Sequence, residues 1–166
     1  EDVTVEVFLG LLAWRTQRPV KMAWSRQESL LARPKRHPFI LHYRTGAMRD
    51  GRLVAQAVEL IADSGAYAYL SALVLMYAAV TASGPYRVPH VAVDARVAYT
   101  NNTPTSAMRG FGAMQMVFGY ESQMDQLARR LGLDPVELRL RNAIQSGETS
   151  IHGWHMASCG YAECLR

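Results

Sequence analysis

Apolar residues recur at helical spacing at Val5, Phe8, Leu9, Leu12 and Ala13, which predicts a helix over about 4–16. Pro19 ends it, and Val20 to Trp24 reads as a short strand. Ser25 and Glu28 have capping-box spacing, so each side chain can satisfy an orphan N–H at a helix start. Pro34 keeps that helix brief by pushing Arg33 out of helical geometry. From His37 to Ala62 the pattern becomes β-like. Two runs, about 39–48 and 53–61, flank Arg49-Asp50-Gly51, and Asp-Gly supplies the positive φ angles of a tight hairpin. Ser64-Gly65 closes the second run, and the Ala- and Tyr-rich stretch 66–82 predicts a helix or two short ones.

Beyond the break at Ser83-Gly84-Pro85, Val91, Val93, Ala95, Val97 and Tyr99 alternate with His90, Asp94 and Arg96, the pattern of a half-buried strand. Asn101-Asn102-Thr103-Pro104 is a loop. Met114, Val117, Phe118, Met124, Leu127 and Leu131 then share one helical face, with Gly132 as the C-terminal stop. Asp134 as cap, Pro135 at the first position and Glu137 completing a capping box open a further helix to about Ile144. Residues 145–155 read as loop. Strands gather in the middle and helices at the ends. The expected class is α+β, a mixed layer of a central hairpin plus one strand with flanking helices, rather than a doubly wound sheet.

At 166 residues the chain can bury one sizeable core, and residues 1–166 are taken as one fragment with a possible division into 1–100 and 101–166. With 49% hydrophobic and 19% charged residues it is not a disordered chain. The net charge of +4 suggests nucleic acid, but the basic residues are spread from Arg15 to Arg166. The densest cluster, Arg33-Pro34-Lys35-Arg36-His37, is too short for a phosphate-tracking stripe, so no nucleic-acid partner is expected. Tyrosines and a serine interrupt the apolar run 66–82, so no membrane span is expected either. Cys159 and Cys164 lack the second pair that a metal site needs and read as free thiols of a reducing, cytoplasmic compartment. His152 and His155 read as surface residues, and Met108, Met114, Met116 and Met124 as core fillers. No leader pattern follows Glu1-Asp2, and the missing initiator Met suggests a piece of a longer polypeptide.

The stretch from Thr103 to Gln115 carries the chemistry. A polar loop runs into Arg109-Gly110-Phe111-Gly112 and then into a helix. Glycine lets backbone N–H groups approach a bound group closely, and the helix start adds unpaired donors and a positive dipole end. Such a loop suits an anion or a metal–oxo group, with Phe111 as an apolar wall. Two glycines before a helix also make a plain tight turn, and the spacing fails the dinucleotide fingerprint.

Ala107-Met108-Arg109-Gly110-Phe111-Gly112-Ala113-Met114-Gln115 resembles the A-[FM]-R-G-F-G-x-x-Q segment of the xanthine dehydrogenase/aldehyde oxidase family of molybdenum hydroxylases. Arg36-His37-Pro38-Phe39 resembles its R-H-P-F segment. Arg18-Pro19-Val20-Lys21 with Ser25-Arg26-Gln27-Glu28 is similar to its R-P-V-K…R-x-E stretch. Asp134-Pro135-Val136-Glu137-Leu138-Arg139 with Asn142 is similar to its D-P-x-E-x-R-x-x-N helix. The resemblance runs in order from Glu1 to about Gly147.

The resemblance implies part of the molybdopterin-binding catalytic subunit of a xanthine dehydrogenase-like enzyme. Such an enzyme hydroxylates a purine, an aldehyde or an N-heterocycle with water and passes electrons through 2Fe–2S clusters to FAD in partner domains or subunits. Arg109 and Gly110 would contact the molybdenum–molybdopterin cofactor, the Arg109 backbone N–H lying near the metal. Phe111 would face a planar substrate, and Gln115 would support the loop. Tyr77 falls at or near the place where purine-hydroxylating members carry an Arg before Tyr86-Arg87-Val88-Pro89, which leaves the substrate open. The family's F-G-G-K segment would precede Glu1, with Glu1 as its trailing acid, and the essential glutamate would follow Arg166. No catalytic residue is therefore expected within this chain, and alone it is expected to be inactive and free of metal. The competing expectation is a non-catalytic binding or interaction module on the same scaffold.

Overall fold

Alternating small and branched residues along 53–65 turn one side of a long strand into a core face. The computed structural model describes residue 3 and residues 5–166. The elements are α1 (Glu6–Thr16), α2 (Arg26–Ala32), β1 (Phe39–Ala47), β2 (Leu53–Gly65), α3 (Ser71–Thr81), β3 (His90–Tyr99), α4 (Ala113–Leu131), α5 (Pro135–Asn142) and α6 (Tyr161–Leu165). The N-terminal edge of the first expected helix, at Thr4, and the role of Glu1 lie outside the described residues.

The sheet has the order β1-β2-β3. β1 and β2 form the expected hairpin, antiparallel from Phe39↔Ala62 to Ala47↔Leu53. Its turn is closed by Gly51 N–H on the Met48 carbonyl at 2.9 Å, with Gly51 at φ 89°. β3 lies parallel to β2, from Ala55↔His90 to Gly65↔Tyr99, so α3 is the crossover between them. The class is α+β, as the residue pattern implies.

Val58 and Leu60 of β2 meet Ala78 of α3 and Met116, Tyr120, Met124 and Ala128 of α4 in one buried cluster. The buried face of α4 differs from the expected one. Met124 is buried and Leu127 and Leu131 pack on the core, but Met114, Val117 and Phe118 are 58%, 44% and 75% exposed. α4 carries apolar residues on more than one side, and Gly119 decides which side meets the sheet. A Cβ there would stand 2.6 Å from the Tyr43 ring, so the helix can lie close only with this residue inward. Met116 and Met124 are thus core fillers, whereas Met108 and Met114 lie on the surface.

Local signals elsewhere hold in part. Ser25 and Glu28 form the full reciprocal capping box at the start of α2. At α5, Asp134 accepts from the Val136 and Glu137 N–H groups, but the Glu137 carboxylate turns outward to Arg141 at 2.6 Å instead of closing a box. α5 stops at Asn142, two residues short of expectation, because the chain leaves to pair with the Tyr86 segment. Ile144 N–H donates to the Pro85 carbonyl at 3.0 Å and Ala143 bridges Tyr86. Val20–Trp24 is not a strand: the sheet is β1-β2-β3 and the run pairs with none of its strands. α6 carries too short an apolar pattern to be foreseen. α1 buries none of its residues within this chain, and Phe8 and Trp14 are exposed. No helix among the described residues is long and apolar enough to cross a membrane.

Candidate functional site

Between β3 and α4 the backbone makes two consecutive turns in which Gly110, Phe111 and Gly112 have φ of 94°, 48° and 94°. The first is closed by Phe111 N–H on the Met108 carbonyl at 2.7 Å, with Gly110 supplying the positive φ of a type II turn. The second is closed by Ala113 N–H on the Gly110 carbonyl at 2.9 Å, with Phe111 and Gly112 at its centre. A phenylalanine held at positive φ is strained, by about 1–3 kcal/mol, and such strain collects at binding sites. Among the described residues the Arg109 and Gly110 N–H groups have no acceptor. The loop therefore presents adjacent unpaired donors, which is what an anionic or oxo ligand requires.

α3 lies directly against this loop. A Cβ on Gly112 would fall 2.6 Å from the Val74 carbonyl oxygen. That close approach puts Tyr77 beside Phe111, ring centroids 6.3 Å apart at 74°, an edge-to-face pair. Phe111 is half-buried and Tyr77 is 40% exposed, so both offer ring surface to an incoming group.

Residues 35–37 brace the loop from behind. Arg36 Nη2 donates to the Arg109 carbonyl at 2.8 Å, and Gln115 Nε2 donates to the His37 carbonyl at 3.0 Å. Lys35 N–H donates to the Pro104 carbonyl, and Ser106 N–H returns the bond to the Lys35 carbonyl. His37 is buried and shares a 2.7 Å hydrogen bond with Ser71 at the first position of α3. Two buried polar atoms near this brace, Arg36 Nη1 and Gln115 Oε1, have no partner among the described residues.

Residues 1–143 match the family described as the molybdopterin cofactor-binding domain. The chain belongs to that family. It is 47% identical over 146 residues to the nicotinate dehydrogenase large molybdopterin subunit of Eubacterium barkeri, covering 88% of this chain and 34% of that protein. It is 39% identical over 142 residues to a probable xanthine dehydrogenase subunit of Bacillus subtilis, covering 86% of this chain and 19% of that protein. The aldehyde oxidoreductase structure from Desulfovibrio gigas superposes with a TM-score of 0.86 at 31% identity, over 99% of this chain and 18% of that one. The chain thus spans about a third or less of these relatives' length.

Within the molybdopterin cofactor-binding domain, the structure brings Arg109, Gly110, Phe111, Tyr77 and Gln115 into one neighbourhood. His152 lies apart, half-buried with Nε2 at 3.2 Å from Ser83 Oγ, and His155 is exposed. Cys159 and Cys164 are free thiols. No group of metal-ligating side chains forms among the described residues. An open cleft of about 900 Å³ between the sheet and α4, floored by Leu41, Tyr43, Val58 and Val93, includes no residue of the glycine loop. The contacts missed from sequence are those of Arg36, His37 and Ser71. The signal was present as Arg36-His37-Pro38-Phe39, yet no spacing rule links Arg36 to a carbonyl 73 residues away.

Burial holds the His37 pKa below its ordinary value of 6.5, with the Asp63 carboxylate opposing weakly. The folded chain therefore resists a proton that the unfolded chain accepts. His37 contributes fully above pH about 6.5, and stability falls as pH drops from there through the folded pKa. Burial shifts His152 in the same direction. In urea unfolding at pH 7.5 and 5.0, His37→Gln should flatten the loss of stability seen in the wild type. An unchanged difference between the two pH values would refute the assignment.

Proposed function

We propose that this chain forms one wall of the active site in the molybdopterin-binding subunit of a molybdenum hydroxylase, acting on a flat N-heterocycle, an aldehyde or a purine. The observation that carries this reading is the pair of unpartnered N–H groups at Arg109 and Gly110, set beside the Tyr77–Phe111 aromatic pair. The residues fit the cofactor: the glycines keep side chains off the loop, and the donors lack acceptors of their own. When bound, the molybdenum cofactor supplies the redox chemistry, accepting electrons as a substrate carbon gains oxygen from water.

The chain's own residues do the rest of what falls to this wall. Arg109 and Gly110 present backbone N–H groups toward the cofactor. Phe111 packs on the face of a flat substrate, and Tyr77 adds an aromatic edge with one phenol donor. Residues 66–82 carry no charge at all, so α3 offers no cation to an oxygen that gains negative charge. That favours an N-heterocycle over a purine, as does the 47%-identical relative named for nicotinate. A ring carboxylate would find its cation elsewhere than on α3.

Residues 1–166 are read as part of one cofactor-binding domain, since β2 and β3 before the loop share a core with α4 and α5 after it. Electrons would leave through 2Fe–2S clusters to FAD in partner domains or subunits. The free thiols Cys159 and Cys164 suit a cytoplasmic setting. The 166-residue chain alone turns nothing over in this reading, because none of Arg109, Gly110, Phe111 and Gln115 can act as a general base.

The test uses the full-length protein containing this chain. Purified from a molybdenum-replete host, it should carry molybdenum and turn over at least one N-heterocycle in a panel with aldehydes and purines. Phe111→Ala should lower kcat/KM by about 10–100-fold while molybdenum content stays within error. A full-length protein without molybdenum would favour the binding-module alternative. Unchanged kinetics in Phe111→Ala would remove Phe111 from the substrate wall.

A further inference from the structure

The Arg109 carbonyl and the Gly110 N–H belong to one planar peptide, so they point in opposite directions and turn together. That peptide is the central one of the turn closed from Phe111 to Met108. Rotation of a turn's central peptide interconverts type I and type II geometry, and few local contacts resist it. Here an outside donor grips it. Arg36 Nη2 holds the Arg109 carbonyl at 2.8 Å, from the brace that also touches both ends of the loop through Lys35 and His37.

The guanidinium is only partly used. Nη1 is buried and has no acceptor among the described residues. A buried N–H without a partner is costly, and nothing local to residues 35–37 accounts for the cost. An alkyl side chain would avoid it, but would leave the Arg109 carbonyl unheld.

We propose that Arg36 is a positioning residue, which selects one orientation of the Arg109–Gly110 peptide and so aims the Gly110 N–H into the space the loop serves. What that N–H faces rests on the proposed function; the selection of the peptide orientation does not. In this role Arg36 acts through the backbone, by holding the Arg109 carbonyl. Its planar fork suits a carbonyl on one nitrogen and a second oxygen acceptor on the other.

The test compares wild type, Arg36→Met and Arg36→Lys in the full-length protein. Arg36→Met should speed amide hydrogen exchange in peptides spanning 107–112 about tenfold, with β2 peptides unchanged. It should lower kcat about tenfold while KM stays within about twofold and molybdenum is retained, and it should alter the Mo(V) resonance spectrum. Arg36→Lys keeps one donor and should recover part of each effect; if Arg36→Met does not fold, the lysine variant carries the same readouts. Unchanged exchange at 107–112 would overturn the proposal. So would acceleration spread over β2 and α4, which marks a general structural role. If the wild type holds no molybdenum, the functional reading fails while the exchange comparison still decides the role of Arg36.

Discussion

Alanine at position 112 should destabilise the chain by about 2–5 kcal/mol, from about 1–2 for the backbone and about 1–3 for the clash. Gly112 sits at φ 94° and ψ −32°, a conformation that an L side chain adopts only under strain. The added Cβ would stand 2.6 Å from the Val74 carbonyl oxygen and 3.0 Å from the Ala78 Cβ. Backbone cannot swing aside as a side chain can, so α3 or the start of α4 must move. Gly110 provides the control. It has the same φ, but its Cβ would meet the Met114 side chain, which is exposed and flexible. Gly110→Ala should therefore cost only the backbone part, about 1–2 kcal/mol. Urea unfolding followed by far-ultraviolet circular dichroism measures both. Equal losses for the two variants would mean that the α3 contact does not constrain the loop. If Gly112→Ala moves α3, it also separates Tyr77 from Phe111, so a loss of aromatic substrate binding should accompany the loss of stability.

Legibility from sequence followed the range of the cause. The hairpin turn at Gly51, the capping box at Ser25 and Glu28, the Asp134 cap and the αL stop at Gly132 depend on residues a few positions apart, and all could be read. The glycine loop was readable for the same reason, since positive φ at Gly110 and Gly112 is a local demand. The buried face of α4 was not, because residues 113–131 carry apolar side chains on several faces. The choice came from Tyr43 meeting Gly119, 76 residues apart by number. Val20–Trp24 failed for a related reason: a strand needs a partner strand, and an apolar run does not say whether it will pair with one. The pairing of Tyr77 with Phe111 was approachable through the resemblance but not through pattern, since α3 and the loop meet by packing alone. Arg36 and His37 were visible as a motif, while what they hold was not.

Asn142→Ala should cost about 2–6 kcal/mol, because it leaves two buried backbone groups, the Leu53 N–H and the Gly51 carbonyl, without this partner at about 1–3 each. Asn142 is 3% exposed, and its amide is used from both ends. Oδ1 accepts from Leu53 N–H at 2.9 Å, while Nδ2 donates at 2.9 Å to the Gly51 carbonyl and at 2.9 Å to the Leu138 carbonyl. One side chain thus pins the hairpin tip beneath α5, where Gly51 and Leu53 are buried and water has little access. This accounts for an asparagine closing the Asp134–Asn142 helix, since it alone supplies an acceptor and two donors in that volume. Asn142→Asp separates geometry from chemistry. The carboxylate keeps the acceptor for Leu53 but faces the Gly51 and Leu138 carbonyls with no proton to give. Burial beside two carbonyls would raise its folded pKa, so the folded state would bind a proton more tightly than the unfolded state. The aspartate variant should therefore regain stability as pH falls from 7 toward 4, where the protonated acid can donate to Gly51. The alanine variant should recover nothing by comparison with wild type over the same range. Parallel behaviour of the two variants would mean that the hairpin tip is held by packing and not by this amide.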